Sequence, residues 1–158
     1  MAVEREELNI HPRGVNTLDI LKTVIHFFEN SEEVEGRILQ IHRQASDTTL
    51  TTDPTVLKQV LGYMVKNALE ASQRSETITL NVDARAKEVE FCVHNPNFIP
   101  KDVQLQIFQR GFSTKGEGLG LGTYAMKLLS EKCLKGKVSF VSTANIGTNF
   151  KACYPVHI

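Results

Sequence analysis

Residues Ser113 to Leu129 read "STKGEGLGLGTYAMKLL", with four glycines, Gly116, Gly118, Gly120 and Gly122, at alternate positions before a run of helix-forming residues. A helix N-terminus exposes unpaired N–H groups and the positive end of a dipole. So bare an entrance lets an anion approach the backbone closely, and phosphate is the anion this chemistry suits. Lys115 stands beside the glycines. A surface lysine is ordinarily only solvated, but on a glycine loop facing phosphate a charge-assisted contact is the better reading. Neither of the two commonest phosphate loops accounts for the segment. The chain has no Gly-x4-Gly-Lys-Ser/Thr, and the G-x-G-x-x-A match from Gly120 to Ala125 follows a long loop, with no acidic residue about twenty positions on.

A second group with chemical potential is Asn67, in "LKQVLGYMVKNALEAS". Its amide oxygen is a hard ligand on the polar face of a helix and suits Mg²⁺, which keeps several waters and takes few protein ligands. On the residue alone, a solvated or capping asparagine is an equal alternative. Thr148, after Gly147 at the start of a strand, reads on its own as ordinary β-propensity.

These residues need elements to hold them. "VNTLDILKTVIHFFEN" repeats Val15, Leu18, Leu21, Ile25 and Phe28 at helical spacing, with Ile20, Val24 and Phe27 widening the stripe. "RILQIHRQ" and "TTLTTD" then read as two short strands. In the next helix, Asp53 is the N-cap and Pro54 the first helical residue. Val56, Leu57, Val60, Leu61, Met64, Val65, Ala68 and Leu69 form its buried face, and Tyr63, Asn67, Glu70 and Arg74 share the other side. "TITLNVDA" and "EVEFCVHN" read as a hairpin across "RAK". After a loop of about twenty residues come the helix of "GLGTYAMKLLSEKCL" and two more strands, "KVSFVST" and "TNFKACYP". The order predicts a sandwich with helices on one face of a mixed sheet.

The 158 residues, 41% of them hydrophobic, suffice for one core. Residues 1–14, polar and ending in "HPRG", read as an arm or truncated linker, leaving 15–158 as the domain. Eighteen basic and eighteen acidic residues cancel, so the net charge points to neither nucleic acid nor a membrane surface. Cys92, Cys133 and Cys153 are odd in number and set among apolar neighbours, as buried thiols in a reducing compartment would be. No stretch reaches the roughly 18 apolar residues of a membrane span, and the chain as given reads as cytoplasmic, including as the cytoplasmic part of a membrane-bound sensor.

Four blocks, in order, resemble the ATP-binding catalytic domain of sensor histidine kinases, in the superfamily that includes gyrase, the Hsp90 chaperone and MutL. "LKQVLGYMVKNALEAS" resembles the N box and "VEFCVHNPNFIP" the first glycine box. "IFQRGFSTK" is similar to the F box and "GEGLGLGTYAMKLL" to the second glycine box, and "GTNFKACYP" closes the domain as the family does. The resemblance implies an α+β two-layer sandwich of the Bergerat type, its mostly antiparallel sheet covered by about three helices on one face. It implies ATP and Mg²⁺ as cofactors, with Asn67 as the metal ligand. Lys115, Gly116, Gly118, Leu119, Gly120, Leu121 and Gly122 would surround the phosphates, and Thr148 would support the adenine pocket. Between Pro100 and Gly118 it implies a lid pinned to the core by Phe108 and Phe112.

The pattern also departs from the family. The usual aspartate that accepts the adenine amino group is missing, as is the glycine pair after it. Asn95 or His94 takes that place, and Asn95 is preferred because its side-chain oxygen can accept without requiring a particular tautomer. Where relatives carry an asparagine, or in hydrolysing members a glutamate, this chain has Tyr63. A phenol is a poor general base near neutral pH, which disfavours hydrolysis. Glu70 stands where many relatives place a basic or neutral residue. None of His11, His26, His42, His94 and His157 lies in a helical hairpin that would present a phosphorylated histidine. The expectation is therefore a catalytic domain whose dimerisation and phosphoacceptor domain lies upstream, with a response regulator downstream. A degenerate nucleotide- or partner-binding module and a serine kinase of the anti-sigma type are the alternatives.

Overall fold

A computed structural model describes residues 9–109 and 121–158 of the chain. Strand β1 (Arg13–Asn16) leads into helix α1 (Thr17–Glu29), and strands β2 (Ile38–Ile41) and β3 (Thr49–Thr52) follow. Helix α2 (Pro54–Glu70) precedes strands β4 (Thr77–Ala84) and β5 (Glu88–Asn95). After a short helix α3 (Lys101–Gln104) come helix α4 (Leu121–Lys132) and strands β6 (Lys137–Thr143) and β7 (Gly147–Pro155).

The main sheet has the order β2-β4-β5-β7-β6. Only β2 with β4 is parallel; the other pairs are antiparallel. Strand alternation sends Ile78, Leu80 and Val82 of β4 and Val89, Phe91, Val93 and Asn95 of β5 to the buried face. In β7, Thr148, Phe150, Ala152 and Tyr154 do the same. Helices α1, α2 and α4 contribute Leu21, Val24, Leu57, Leu61, Met64 and Met126 to the same core, with α2 packed between α1 and α4. The result is the expected α+β two-layer sandwich. Tyr154 is fully buried and its hydroxyl lies 2.7 Å from Ser130 Oγ, which ties β7 to α4.

Local chemistry sets the helix starts. Asn16 Oδ1 accepts from the Asp19 N–H at 2.9 Å, capping α1. Asp53 Oδ1 accepts from Thr55 and Val56 at the head of α2, while its Oδ2 accepts from the His11 N–H at 3.0 Å. That second contact holds down the segment read as an arm. Arg13 and Gly14 pair with Thr52 and Thr51 of β3, so structure begins before Val15 among the described residues. Pro12 and Gly14 resist helix, but an extended backbone suits both.

Two further details differ from the sequence expectation. Phe27 does not widen the buried stripe of α1 and is 69% exposed; at 100° per residue it lies roughly 80° from the centre of that stripe. The loop after β5 contains the four-residue helix α3. Beyond it the Phe108 ring packs edge-on to Phe140 at 5.7 Å and to Phe150 at 6.3 Å, pinning the segment to the core. Phe112 lies outside the described residues.

Candidate functional site

Asn67 projects from the fourth turn of α2 with Tyr63 one turn before it, and both are half-buried. The Asn67 Nδ2 atom is buried with no hydrogen-bond partner. A methyl group added at Gly122, in the first turn of α4, would lie 3.9 Å from Asn67 Oδ1 and 3.6 Å from a ring carbon of Tyr63. Those are ordinary contact distances, so helix packing alone does not require glycine at this position. Its bareness keeps space open beside the Asn67 amide. A buried N–H donor left unpaired costs about 1–3 kcal/mol unless another group satisfies it. A phosphate oxygen accompanied by a divalent cation meets both ends of such an amide, one as acceptor and one as Lewis acid, so the residues present fit Mg²⁺ and a nucleotide.

A second group forms where β5 ends. Asn95 is 3% exposed and faces the helix side of the sheet. His94, one residue earlier, faces the opposite side and bonds through Nε2 to the Ile146 carbonyl at 2.6 Å. A carbonyl only accepts, so the proton sits on Nε2. Thr148 pairs directly with Asn95 in the β5–β7 register and is 1% exposed. Its hydroxyl donates to the Asn97 carbonyl at 2.7 Å, which also accepts from Asn95 Nδ2 at 3.3 Å. Ser142 Oγ lies 2.7 Å from Thr148 Oγ1 and accepts from the Ile99 N–H at 2.7 Å. Since the Thr148 proton goes to a carbonyl, Ser142 must donate to Thr148. Gln104 Nε2 closes the chain on the Ile99 carbonyl at 2.6 Å.

The two groups are connected. Asn97 Nδ2 donates to the Ala71 carbonyl at the end of α2 at 2.7 Å and to Glu76 Oε1 at 2.9 Å. The Ala71 N–H in turn donates to the Asn67 carbonyl. Bonds from the Gln73 N–H and the Asn97 amide hold the Glu76 carboxyl below its ordinary pKa. Gly147 allows the close approach at the other side: its φ is +90°, and a side chain there would meet the backbone of Asn95 and Pro96.

Of the residues singled out from the sequence, Asn67 and Gly122 lie together, and Asn95 and Thr148 lie together, joined to the helix of Asn67 through Asn97 and Ala71. His94 is on the far face of the sheet. Leu121 opens α4, and Lys115, Gly116, Gly118, Leu119 and Gly120 lie outside the described residues. Sequence reading missed Asn97, Ser142 and Gln104: Asn97 is signalled only by the turn-forming "NPN" that follows β5, Ser142 lies on the inward phase of β6, and Gln104 ends the short helix α3. The thiols of Cys92 and Cys153 lie on the other sheet face, pushed up to about 11, chiefly by burial.

Known proteins share this family and fold. Residues 52–158 match the model of the family described as histidine kinase-, DNA gyrase B-, and HSP90-like ATPase. Sensor histidine kinase Hik2 of Thermosynechococcus vestitus is 25% identical over 155 residues, covering 91% of this chain and 40% of that protein. The chain therefore spans well under half of that relative's length. The catalytic domain of histidine kinase ThkA superposes with a TM-score of 0.82 at 25% identity, covering 94% of this chain and 97% of that domain. ThkA in complex with the response regulator TrrA gives 0.76 at 23% identity, covering 98% and 46%.

Proposed function

The chain belongs to the family of histidine kinase-, DNA gyrase B- and HSP90-like ATPases, and from that premise we propose that it is the ATP-binding catalytic domain of a two-component sensor histidine kinase. It delivers the γ-phosphate to a histidine on a separate dimerisation and phosphoacceptor domain. A response regulator is the downstream partner, as TrrA partners ThkA. The observation that carries the reading is the buried, unpartnered Nδ2 of Asn67 beside the open first turn of α4.

In this reading Asn67 offers its amide oxygen to Mg²⁺, and the metal supplies neutralisation of charge on the phosphates. Backbone N–H groups at the head of α4, with the glycines from Gly116 to Gly122 and with Leu119 and Leu121 between them, cradle phosphate oxygens, and Lys115 neutralises the outer ones. Asn95 accepts the adenine amino group and Thr148 backs the pocket. The acceptor imidazole nitrogen attacks the γ-phosphorus, a new N–P bond forms, and the bond to the β–γ bridging oxygen breaks as ADP leaves. An imidazole is already a nucleophile, so the domain need only align the phosphate, and Tyr63 in the place of a hydrolytic base is compatible with that task. No described helix is long and apolar enough to cross a membrane; the domain works on the cytoplasmic side, where ATP is.

The test combines binding with transfer. Calorimetry should show ATP binding that strengthens with Mg²⁺, and labelled ATP should phosphorylate the histidine of the full-length protein's acceptor domain. Failure to bind ATP in either condition would remove the reading.

A further inference from the structure

Gly62 sits in the middle of α2, on the face turned away from the core. Thr55, Lys58, Gln59 and Lys66, which share that face at three- and four-residue spacing, are exposed. A glycine inside a helix is less stable than an alanine there, and a methyl group added at Gly62 would meet nothing within 4 Å. Neither packing nor a left-handed backbone requires glycine here, in contrast to Gly136 and Gly147. Bare backbone on an outward face lets a second helix come close, because the distance between two helix axes is set by the side chains at their contact.

The stripe is charged unequally along its length. Lys58 lies one turn, about 6 Å, before Gly62, and Arg13 lines a cavity of about 390 Å³ that Thr55 and Gln59 border. Both cations are exposed, and neither makes an ion pair among the described residues. Asp53, the acid at this end, spends both oxygens on backbone N–H groups. Past Gly62 the sign reverses: Glu32, Glu33, Glu35 and Glu70 outnumber Lys66 and Arg37 around a cavity of about 420 Å³. We propose that the outward face of α2 docks a charge-graded partner helix, which lays a small residue on Gly62, a carboxylate toward Lys58 and Arg13, and cations toward Glu32, Glu33 and Glu35. A nucleic acid does not suit this surface, since its uniform negative charge would face four carboxylates at one end. Tyr63 follows Gly62 directly and Asn67 lies one turn on, so a helix seated here borders the proposed nucleotide site. Its docking does not require nucleotide.

Titration of the full chain with covalently stapled helical peptides, at low and high salt, tests this. The graded peptide carries Glu four residues before an Ala, and Lys four and eight residues after it; two controls carry only Glu or only Lys at those positions. The graded peptide should bind at least about tenfold more tightly than either control at low salt, and the gap should close as salt screens the charges. Gly62→Leu should weaken its binding at least about tenfold with no fall in melting temperature, because the added side chain meets open space in the free protein. Gly62→Ala should melt roughly 1–4 °C higher. Lys58→Glu should weaken the graded peptide several-fold and turn the preference toward the all-Lys control. A graded peptide that does not bind, or binds no better than the controls, would overturn the proposal, as would wild-type affinity in Gly62→Leu or an unchanged preference in Lys58→Glu. A lower melting temperature in Gly62→Ala would make the glycine a requirement of the fold and overturn it as well. None of these readouts uses ATP, so their failure leaves the functional reading above standing.

Discussion

Asn97 Nδ2 donates to the Ala71 carbonyl at 2.7 Å, fastening the loop after β5 to the end of the helix that carries Asn67. Twenty-six residues separate the two in sequence, yet this bond sets the spacing between the proposed base and phosphate ends of the site. Asn97→Ala removes it together with the bond to Glu76. The Ala71 bond alone is worth about 0.5–1.5 kcal/mol, so melting should fall by roughly 1–6 °C, with weaker ATP binding. Glu76 adds a pH signature. Its carboxyl is held below 4.5 in the folded state, so its contribution is present above that value and is lost as pH falls through the folded pKa. The difference in melting between wild type and Asn97→Ala should therefore narrow in acid. An undiminished difference at low pH would assign the effect to the Ala71 bond alone.

Gly147 makes a sharper prediction. Its φ of +90° is one that side-chain-bearing residues rarely adopt, and a Cβ would run into the backbone of Asn95 and Pro96. Gly147→Ala should cost at least about 1–3 kcal/mol from the backbone conformation alone and displace the β5 loop. Melting should drop and ATP affinity with it. A variant with wild-type stability would show that the turn before β7 relaxes freely.

Much of this fold is legible from pattern. β4, β5 and β6 fall on the segments that alternation marks, and α2 opens at the Asp53-Pro54 signal. Period-2 burial also puts His94 and Asn95 on opposite faces once the strand is anchored. What pattern cannot supply is the company of an irregular loop. Asn97 meets Ala71, Glu76 and Thr148 through contacts 26, 21 and 51 residues apart, none set by a repeat. The partition of β2 and β3 into different sheets is likewise a matter of long-range pairing. Phe27 shows a third limit, because a hydrophobic residue at the margin of a stripe need not be covered.

For Asn67 stability and function should move in opposite directions. Its Nδ2 is buried without a partner, so in the absence of nucleotide Asn67→Ala relieves a desolvated group. The variant should melt at or slightly above the wild-type temperature, the gain being about 1 kcal/mol or less. Its ATP binding should lose the enhancement by Mg²⁺. Melting curves with and without Mg-ATP, beside calorimetry in magnesium and in chelator, check both halves. A destabilised Asn67→Ala would mean that the amide holds the apo fold together, and an intact magnesium response would take the metal away from this residue.

Tyr63 separates transfer from hydrolysis. Its ring lines the space that Gly122 leaves open, with a ring carbon 3.6 Å from where a methyl group at that glycine would sit. A phenol near neutral pH takes up a proton too weakly to activate water, while an acceptor imidazole needs no such help. The purified domain should therefore release phosphate at no more than background rate while phosphorylating a supplied acceptor domain. Tyr63→Phe should do both equally well, since only the ring is used. Tyr63→Glu should raise phosphate release, because a carboxylate one helical turn from Asn67 is placed to orient and deprotonate a water. Steady-state phosphate assays and labelled transfer on the three proteins supply the readout. Rapid release by wild type that disappears in Tyr63→Phe would make the phenol the hydrolytic group and place the domain's chemistry with the hydrolysing members of its family.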